Sequence, residues 1–513
     1  MRGPAPHGVY TEDPMRQRLF NEILMARSRV YAAAAPTPLE RIDLPVNAEV
    51  FLKREDLSPI HAYKWRGAYN RMAALSRQER EQGVVCASAG NHAQGVALAA
   101  AKLNIHARIY MPVSTPRMKQ LAVAKHGGAN AEVVLVGDSY SDAAEEAYRD
   151  QQASGRVFVH PYDDFETMGG QGTLADEVVM SGQGPFDLAY VQIGGGGMAA
   201  AVACWLKAYY PDIRVVGVEG VNQASMKAGI AAGKPVALDY VDVFCDGTAV
   251  RKAGEHTLPL CAELLDEIIT VTNEEVAAAI ELLWEARRCI AEPSGAMGVA
   301  GMMKQRDQLN GQRVLTILCG ANVDFDQLAW IARHAGIGSA RRRYFRLEMD
   351  ETPGGLLNLL DTMMEGVNII EVQYGKTDEK RAWPVIGFEA SPQQLELLER
   401  RLTEHGVPFL DVTSQVDVEF RIIHYEPRLF RLPYFIVLDF PERAGALREF
   451  LVASQQTASI CYFNYTNTGE QVGRALIGFE FEDMARRQAF LKILAESDYS
   501  YRELDKPVLE RML

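Results

Sequence analysis

Between about Leu39 and Ala332, short runs rich in apolar and β-branched residues alternate with stretches at helical period. GVVCAS is followed by HAQGVALAAAKL, HARIYMP by TPRMKQLAVAKHG, AEVVLVG by SYSDAAEEAYRDQQ and LAYVQIG by MAAAVACWLKAYY, before RVVGVEG and RVLTILCG close the series. Strands that are apolar on nearly every residue are buried on both faces, which calls for a parallel sheet with helices on each side. A three-layer α/β core is expected. Thr272 stands three residues before Glu275 in TNEEVAAAIELLWEARR, a capping-box spacing that predicts a helix just before Cys289.

The rhythm changes at IARHAGIGSARRRYF, where Gly336, Gly338 and Arg341 to Arg343 mark a boundary. Beyond it the chain repeats itself. ETPGGLLNLLD from Glu351 is echoed by ERAGALREFLV from Glu442, and VIGFE ending at Glu389 by LIGFE ending at Glu480, both at an offset of 91 residues. Each unit reads strand, glycine turn, helix, strand, strand, helix, the composition of a small ferredoxin-like α+β sandwich. The expected domains are a core over 1–335 and two modules over 341–413 and 433–510. A length of 513 residues agrees with about three domains at roughly 150 residues each.

Charge and cysteine usage narrow the partners. With 53 basic and 67 acidic residues the net charge is −14, which repels phosphate backbones and anionic membranes, so small molecules are expected and nucleic acid is not. Seven cysteines, an odd number with no CxxC pair, fit a reducing compartment rather than a disulfide framework or structural zinc. Glu12, Asp13 and Glu22 interrupt any presequence in the first thirty residues, and no run of about 18 apolar residues occurs, so a soluble, cytoplasmic protein is expected.

Five segments hold residues that could carry chemistry. In KREDLSPIHAYKWRGAYNRM, Lys64 lies just before a predicted helix and among Lys53, Arg54 and Arg66. Neighbouring cations and a positive helix end push a lysine toward its neutral form, as a Schiff-base lysine requires. Most lysines are solvated, and a surface residue in a basic stretch is the plain alternative. In SAGNHAQG, Ser88, Ala89, Gly90, Asn91 and His92 offer outward backbone N–H groups that would cradle a carboxylate, although Asn91 would equally serve as a helix cap. Gly194 to Gly197 follow the strand LAYVQI and precede a helix, an arrangement in which N–H groups wrap a phosphate. Gly194, Gly196 and Ala199 also fit a dinucleotide fingerprint with Glu219 as the ribose acid, so this segment alone leaves both readings open. Glu292 in EPSGAMGVA and Cys319 in LTILCGANVDFD lie near the carboxyl ends of strands, where such sheets bind ligands. An exposed turn and a buried packing thiol are their ordinary alternatives.

Taken together and in this order, PTPLERI, KREDLSPIHAYKWRGAY, SAGNHAQG, VQIGGGGMAA, EPSGA and LCGANVDF resemble the fold-type II pyridoxal-phosphate enzymes of the tryptophan synthase β family. With the tandem modules, which look like ACT domains, the chain is similar to the biosynthetic threonine ammonia-lyases in their long, feedback-regulated form. The resemblance implies a pyridoxal 5′-phosphate catalytic domain over 1–335, built of two three-layer αβα subdomains. It also implies deamination of L-threonine to 2-oxobutanoate and ammonia, the entry to isoleucine synthesis. Lys64 would bind the cofactor covalently and act as general base, Asn91 would hydrogen-bond its 3′-oxygen, and Gly194 to Gly197 with Met198 would hold its phosphate, which would also supply the proton to the leaving hydroxyl. Cys319, where relatives often have serine, would face the pyridine nitrogen. Ser88, Ala89, Gly90, Asn91, His92 and Glu292 would meet the substrate.

The sequence departs from the family pattern at Tyr63, where phenylalanine is usual, and at Ala62, where serine or threonine is common. Some relatives bind a divalent cation through an acid at the place of Glu219 and another about six residues on; here that place is Ser225, so no metal is expected. The resemblance further implies a homotetramer inhibited by isoleucine and activated by valine, with Gly354, Gly355, Gly445 and Ala446 as candidate effector contacts. Competing expectations are an NAD-dependent dehydrogenase, a serine-preferring dehydratase or racemase of the same fold, and a non-catalytic amino-acid sensor.

Overall fold

The chain forms two units, Met1–Gly338 and Ser339–Leu513. The computed structural model describes residues 13–513 apart from 353, 357, 358, 360–365, 442–448, 451, 453–456, 467–471 and 498.

In the first unit α1 (Pro14–Ala33) starts at Asp13, whose carboxylate accepts from the N–H groups of Met15 and Arg16. β1 (Leu39–Ile42) and β2 (Ala48–Arg54) then pair antiparallel. The chain leaves this sheet through α2 (Lys64–Ala73) and α3 (Arg77–Gln82) to build a second, smaller one. That sheet alternates β3 (Val84–Ala87), α4 (Asn91–Leu103), β4 (Ala107–Met111), α5 (Arg117–Gly127), β5 (Ala131–Leu135), α6 (Tyr140–Ser154) and β6 (Val157–Phe158). α7 (Phe165–Met180) brings the chain back to the first sheet. There β7 (Leu188–Gln192), α8 (Gly197–Tyr209), β8 (Arg214–Gly220), α9 (Ser225–Ala232), α10 (Thr257–Leu264) and β9 (Glu267–Val271) follow, then α11 (Asn273–Arg287), α12 (Pro293–Lys304), β10 (Gln312–Leu318) and α13 (Gln327–Gly338).

The six strands of the larger sheet lie in the order β1-β2-β10-β7-β8-β9, parallel except for β1, and the smaller sheet has the all-parallel order β5-β4-β3-β6. β3 and β7 are buried at every residue, as strands covered on both faces must be. Separate apolar clusters line the two faces of the larger sheet: one around Trp205 and Phe186, the other around Tyr190 and Met297. The capping box at Thr272 and Glu275 forms as its spacing predicts, and Ser76 with Glu79 and Ser139 with Asp142 make two more.

The second unit is antiparallel. β11 (Arg342–Leu347), β12 (Met349–Asp350), β13 (Asn368–Gly375), β14 (Arg381–Ala382), β15 (Val385–Glu389) and β16 (Phe409–Asp411) belong to the first repeat. β17 (Tyr434–Pro441), β18 (Ser459–Thr466), β19 (Val472–Glu480) and β20 (Ser500–Glu503) belong to the second. Eight of these strands form one sheet, β16-β11-β15-β13-β18-β19-β17-β20, in which β13 pairs β18 from Glu371↔Thr466 to Gly375↔Tyr462. These two strands are equivalent in the repeat, since Asn368 and Ser459 lie 91 residues apart. Each module thus covers the other's open edge, which would otherwise present unpaired N–H and C=O groups. The repeat foretells two modules, and the structure joins them through one continuous sheet.

Candidate active site

The carboxyl ends of β3, β7 and β10 face a cavity of about 750 Å³ in the first unit. Lys64, Ser88, Ala89, Gly90, Asn91, His92, Gly194, Gly195, Gly197, Met198, Glu292 and Cys319 all line it. Gly196 does not, because it turns the loop into α8 with φ +95°.

Lys64 is the first residue of α2 and donates from Nζ to the Pro161 carbonyl at 3.0 Å. Burial pushes its amine down to about 8 against the opposing influence of Cys319 and Glu292. The direction is the one expected from sequence, but the cause differs. Lys53 and Arg66 are not free cations beside Lys64: both are fully buried in a neutralising network with Glu55 and Glu177. Arg66 pairs with Glu55 through Nε at 2.8 Å and with Glu177 through Nη1 at 2.5 Å, and Arg54 pairs with Asp56 and Glu40. Burial alone would raise the Glu55 carboxyl, but Arg66 and Lys53 hold it below the usual range. The network ties β2, α2 and α7 together and so fixes where the helix bearing Lys64 begins.

Across the cavity, the glycine loop turns its carbonyls away. Gly195 O accepts from the Thr257 hydroxyl at 2.5 Å, and Gly196 O accepts from the Ala200 N–H. The first N–H groups of α8 have no acceptor within the helix, and its first turn carries no acid. A Cβ on Gly195 would lie 2.3 Å from the Tyr162 ring, and one on Gly197 would lie 2.7 Å from the Tyr162 carbonyl, so the loop packs too closely for side chains. Glu219 takes no part in the cavity. It is buried and accepts from the N–H groups of Met226 and Lys227 at 2.8 and 2.9 Å, an anchor for α9.

Asn91 opens α4 without capping it; Gly90 holds the cap position. Its amide donates to Glu292 Oε1 at 2.8 Å and accepts from Asn322 Nδ2 at 2.7 Å. Burial, with Asp246 next in weight, pushes Glu292 up to about 7, while hydrogen bonds from Asn91 and Asn322 oppose the rise. Cys319 is 3% exposed, its Sγ lies 3.6 Å from the Ser294 carbonyl, and burial pushes the thiol well up, so it stays protonated at neutral pH. His92 sits with Nε2 2.8 Å from the Val159 carbonyl, and burial brings it down to about 3, so its ring is neutral and its contribution to the cavity is not a charge.

The cavity includes residues that sequence reasoning passed over, among them Asn322, Ser294, Tyr162, Lys119 and Asp246. Asn322 lies inside LCGANVDF, two residues past the glycine after Cys319, and that proximity was the one signal pointing to it. Lys119 on α5 and Asp246, both lining the cavity, form an ion pair at 2.5 Å. Gly354 has φ +76° in the second unit, whereas Gly445 and Ala446 lie outside the described residues. Among the described residues no group of three or more His, Cys, Asp and Glu is placed to hold a metal ion, and no helix is long and apolar enough to cross a membrane.

Residues 30–320 match the family of pyridoxal-phosphate dependent enzymes, and 333–420 with 431–511 match the C-terminal regulatory domain of threonine dehydratase. The chain is 37% identical over 491 residues to the biosynthetic L-threonine dehydratase IlvA of Burkholderia multivorans, covering 93% of this chain and 95% of that one. This chain belongs to the biosynthetic threonine dehydratase family of pyridoxal-phosphate dependent enzymes. The Escherichia coli relative of the same name is 36% identical over 471 residues, covering 89% of this chain and 90% of its own. The processed form of threonine deaminase isoform 2 from Solanum lycopersicum superposes with a TM-score of 0.61 at 35% identity, covering 65% of this chain and 97% of that one.

The residues present fit the family's cofactor. A loop that bares its N–H groups at a helix start suits a phosphate dianion. A buried amine brought down to about 8 opens on the same cavity, and its neutral form is the one an aldehyde partner requires. The dehydrogenase reading has no support in this geometry, because Glu219 is spent on α9.

Proposed function

We propose that this protein eliminates water from L-threonine and that hydrolysis of the resulting imine takes water back and releases ammonia, giving 2-oxobutanoate and ammonia overall, under control of its C-terminal unit. The observation that carries this reading is one cavity holding both the Lys64 amine and the bare N–H face of the glycine loop. Gly194 to Gly197 and Met198 would hold the cofactor phosphate, Lys64 its aldehyde carbon, Asn91 its 3′-oxygen and Cys319 its ring nitrogen. Bound pyridoxal phosphate supplies an electron-accepting ring that stabilises negative charge at the substrate Cα.

Lys64 would hold the aldehyde carbon of the cofactor, and its Nζ, when free, would take the Cα proton of threonine. A lysine with its pKa near 8 serves both tasks: enough of it is neutral to attack and to accept a proton. The N–H groups of Ala89, Asn91 and His92 would hold the substrate carboxylate, fixing the Cα–H bond relative to Lys64, since those of Ser88 and Gly90 already donate to the Tyr110 carbonyl and to Ser88 Oγ. Glu292 faces the same space. Against the ring nitrogen, the neutral thiol of Cys319 would withdraw less charge than a charged partner, which would favour loss of the β-hydroxyl over transamination.

The second unit supports an effector role because a regulatory-domain match covers it. Isoleucine as inhibitor and valine as activator, a homotetramer and a cytoplasmic location complete the proposal. Initial rates of keto-acid formation from threonine and from serine, each with and without isoleucine and valine, test it. Threonine turnover that isoleucine suppresses and valine restores is expected. Faster turnover of serine, or rates indifferent to both amino acids, would contradict the substrate or the regulatory part respectively.

A further inference from the structure

Asn91 belongs to α4 on the smaller sheet, whereas Glu292 and Asn322 come from the loops before α12 and after β10 on the larger one. Three hydrogen bonds close a ring among them. Asn91 Nδ2 donates to Glu292 Oε1 at 2.8 Å, the Asn322 N–H donates to Glu292 Oε2 at 3.0 Å, and Asn322 Nδ2 donates to Asn91 Oδ1 at 2.7 Å. Asn322 Nδ2 gives its other hydrogen to the Ile60 carbonyl at 2.8 Å.

The order of donors and acceptors follows from chemistry. A backbone carbonyl only accepts, so the Ile60 oxygen fixes which end of Asn322 is the amide nitrogen. That nitrogen must then meet the oxygen of Asn91, which leaves the Asn91 nitrogen for the Glu292 carboxylate. Both oxygens of Glu292 already accept from protein donors, which orients the carboxylate toward Asn91 and Asn322. Asn91 Nδ2 retains one hydrogen beyond the bond to Glu292. The backbone is also pared to admit the carboxylate: a Cβ on Gly320 would lie 2.3 Å from Glu292 Oε1.

We infer that Glu292 and Asn322 are positioning residues that lock the Asn91 amide across the two sheets, with its remaining N–H reserved for the 3′-oxygen of the cofactor. The inference rests on the proposed function and gives Glu292 a role through Asn91 rather than on the substrate. Because the lock consists of protein groups alone, it is set before any ligand arrives, and binding meets a donor already oriented.

The test uses the full chain with pyridoxal phosphate. Glu292→Gln and Asn322→Asp each reverse the polarity of one bond in the ring at nearly constant shape. They are compared alone and in an Asn91→Ala background by cofactor dissociation constant, visible band position and melting temperature of the cofactor-free protein. Each single variant is expected to weaken cofactor binding about tenfold and to shift the band in the direction that Asn91→Ala does. In the Asn91→Ala background neither is expected to change anything further, the signature of residues that act through one partner. Melting temperatures should stay within about 2 °C, which a merely structural role would not allow. A variant that will not fold is replaced by Gly320→Ala, which displaces the same carboxylate from outside the ring.

Wild-type affinity and band in the single variants, or losses that add in full to that of Asn91→Ala, would overturn the inference. Borohydride reduction of each variant separates this failure from a deeper one. A cofactor adduct on Lys64 with additive losses refutes only the lock, while no adduct in wild type removes the functional reading on which it stands.

Discussion

Lys64 is a buried amine brought down to about 8 from an ordinary 10.5, and the sign of that shift sets a pH dependence. When cofactor-free protein is mixed with pyridoxal phosphate, capture should quicken about tenfold per pH unit below that value and level off above it, because only the neutral amine attacks. A rate still climbing at pH 10 would mean that burial does not act on Lys64. Cys319 offers a second test at the same scale. Both a buried thiol and a hydroxyl are neutral donors, so Cys319→Ser should keep the visible band and leave kcat within about threefold. A fall far beyond that would show that sulfur itself tunes the ring. The residue types at these positions were legible in the sequence because each sits in a short motif. Their electrostatics were not. Lys53, Arg54 and Arg66 read as a basic cluster along the chain, and only folding brings Glu177, more than a hundred residues later, against Arg66 and Lys53. Asn322 was equally hidden, since its partner Asn91 lies 231 residues away.

Among the elements, the strand-helix rhythm, the capping box at Thr272 and the glycine loop could be read directly, because period and local hydrogen bonding are short-range properties. The loop before α8 makes the sharpest claim. A methyl at Gly195 would lie 2.3 Å from the Tyr162 ring, so Gly195→Ala must move either the ring or the loop. Overpacking of this kind costs about 1–3 kcal/mol, and here it falls on the turn proposed to face the phosphate. Gel filtration of Gly195→Ala is expected to strip most of the cofactor while the far-ultraviolet dichroism stays that of the wild type. Full retention of cofactor would mean that the loop does not hold the phosphate. The single sheet of the second unit, by contrast, could not be foreseen from the repeat. Pairing of β13 with β18 depends on which strand edges meet, and an edge carries no periodic signal of its own.

For the whole molecule, each unit has its own apolar core: one set of clusters serves Met1–Gly338, and another, around Phe345, Phe388 and Phe479, serves Ser339–Leu513. A chain ending after Gly338 should therefore fold and turn over threonine at a rate within about tenfold of the intact enzyme while ignoring isoleucine and valine. Loss of folding would show that the catalytic unit needs the regulatory one, and persistence of the amino-acid response would place the effector site in the first unit. The central claim is that one lysine carries the cofactor in a cavity whose opposite wall binds its phosphate. Its most direct test is mass spectrometry of the loaded full-length protein after borohydride reduction and proteolysis. A pyridoxyl group on the peptide containing Lys64, absent in Lys64→Ala, is the expected result; an adduct on any other lysine, or none in an enzyme that still turns over threonine, would contradict it.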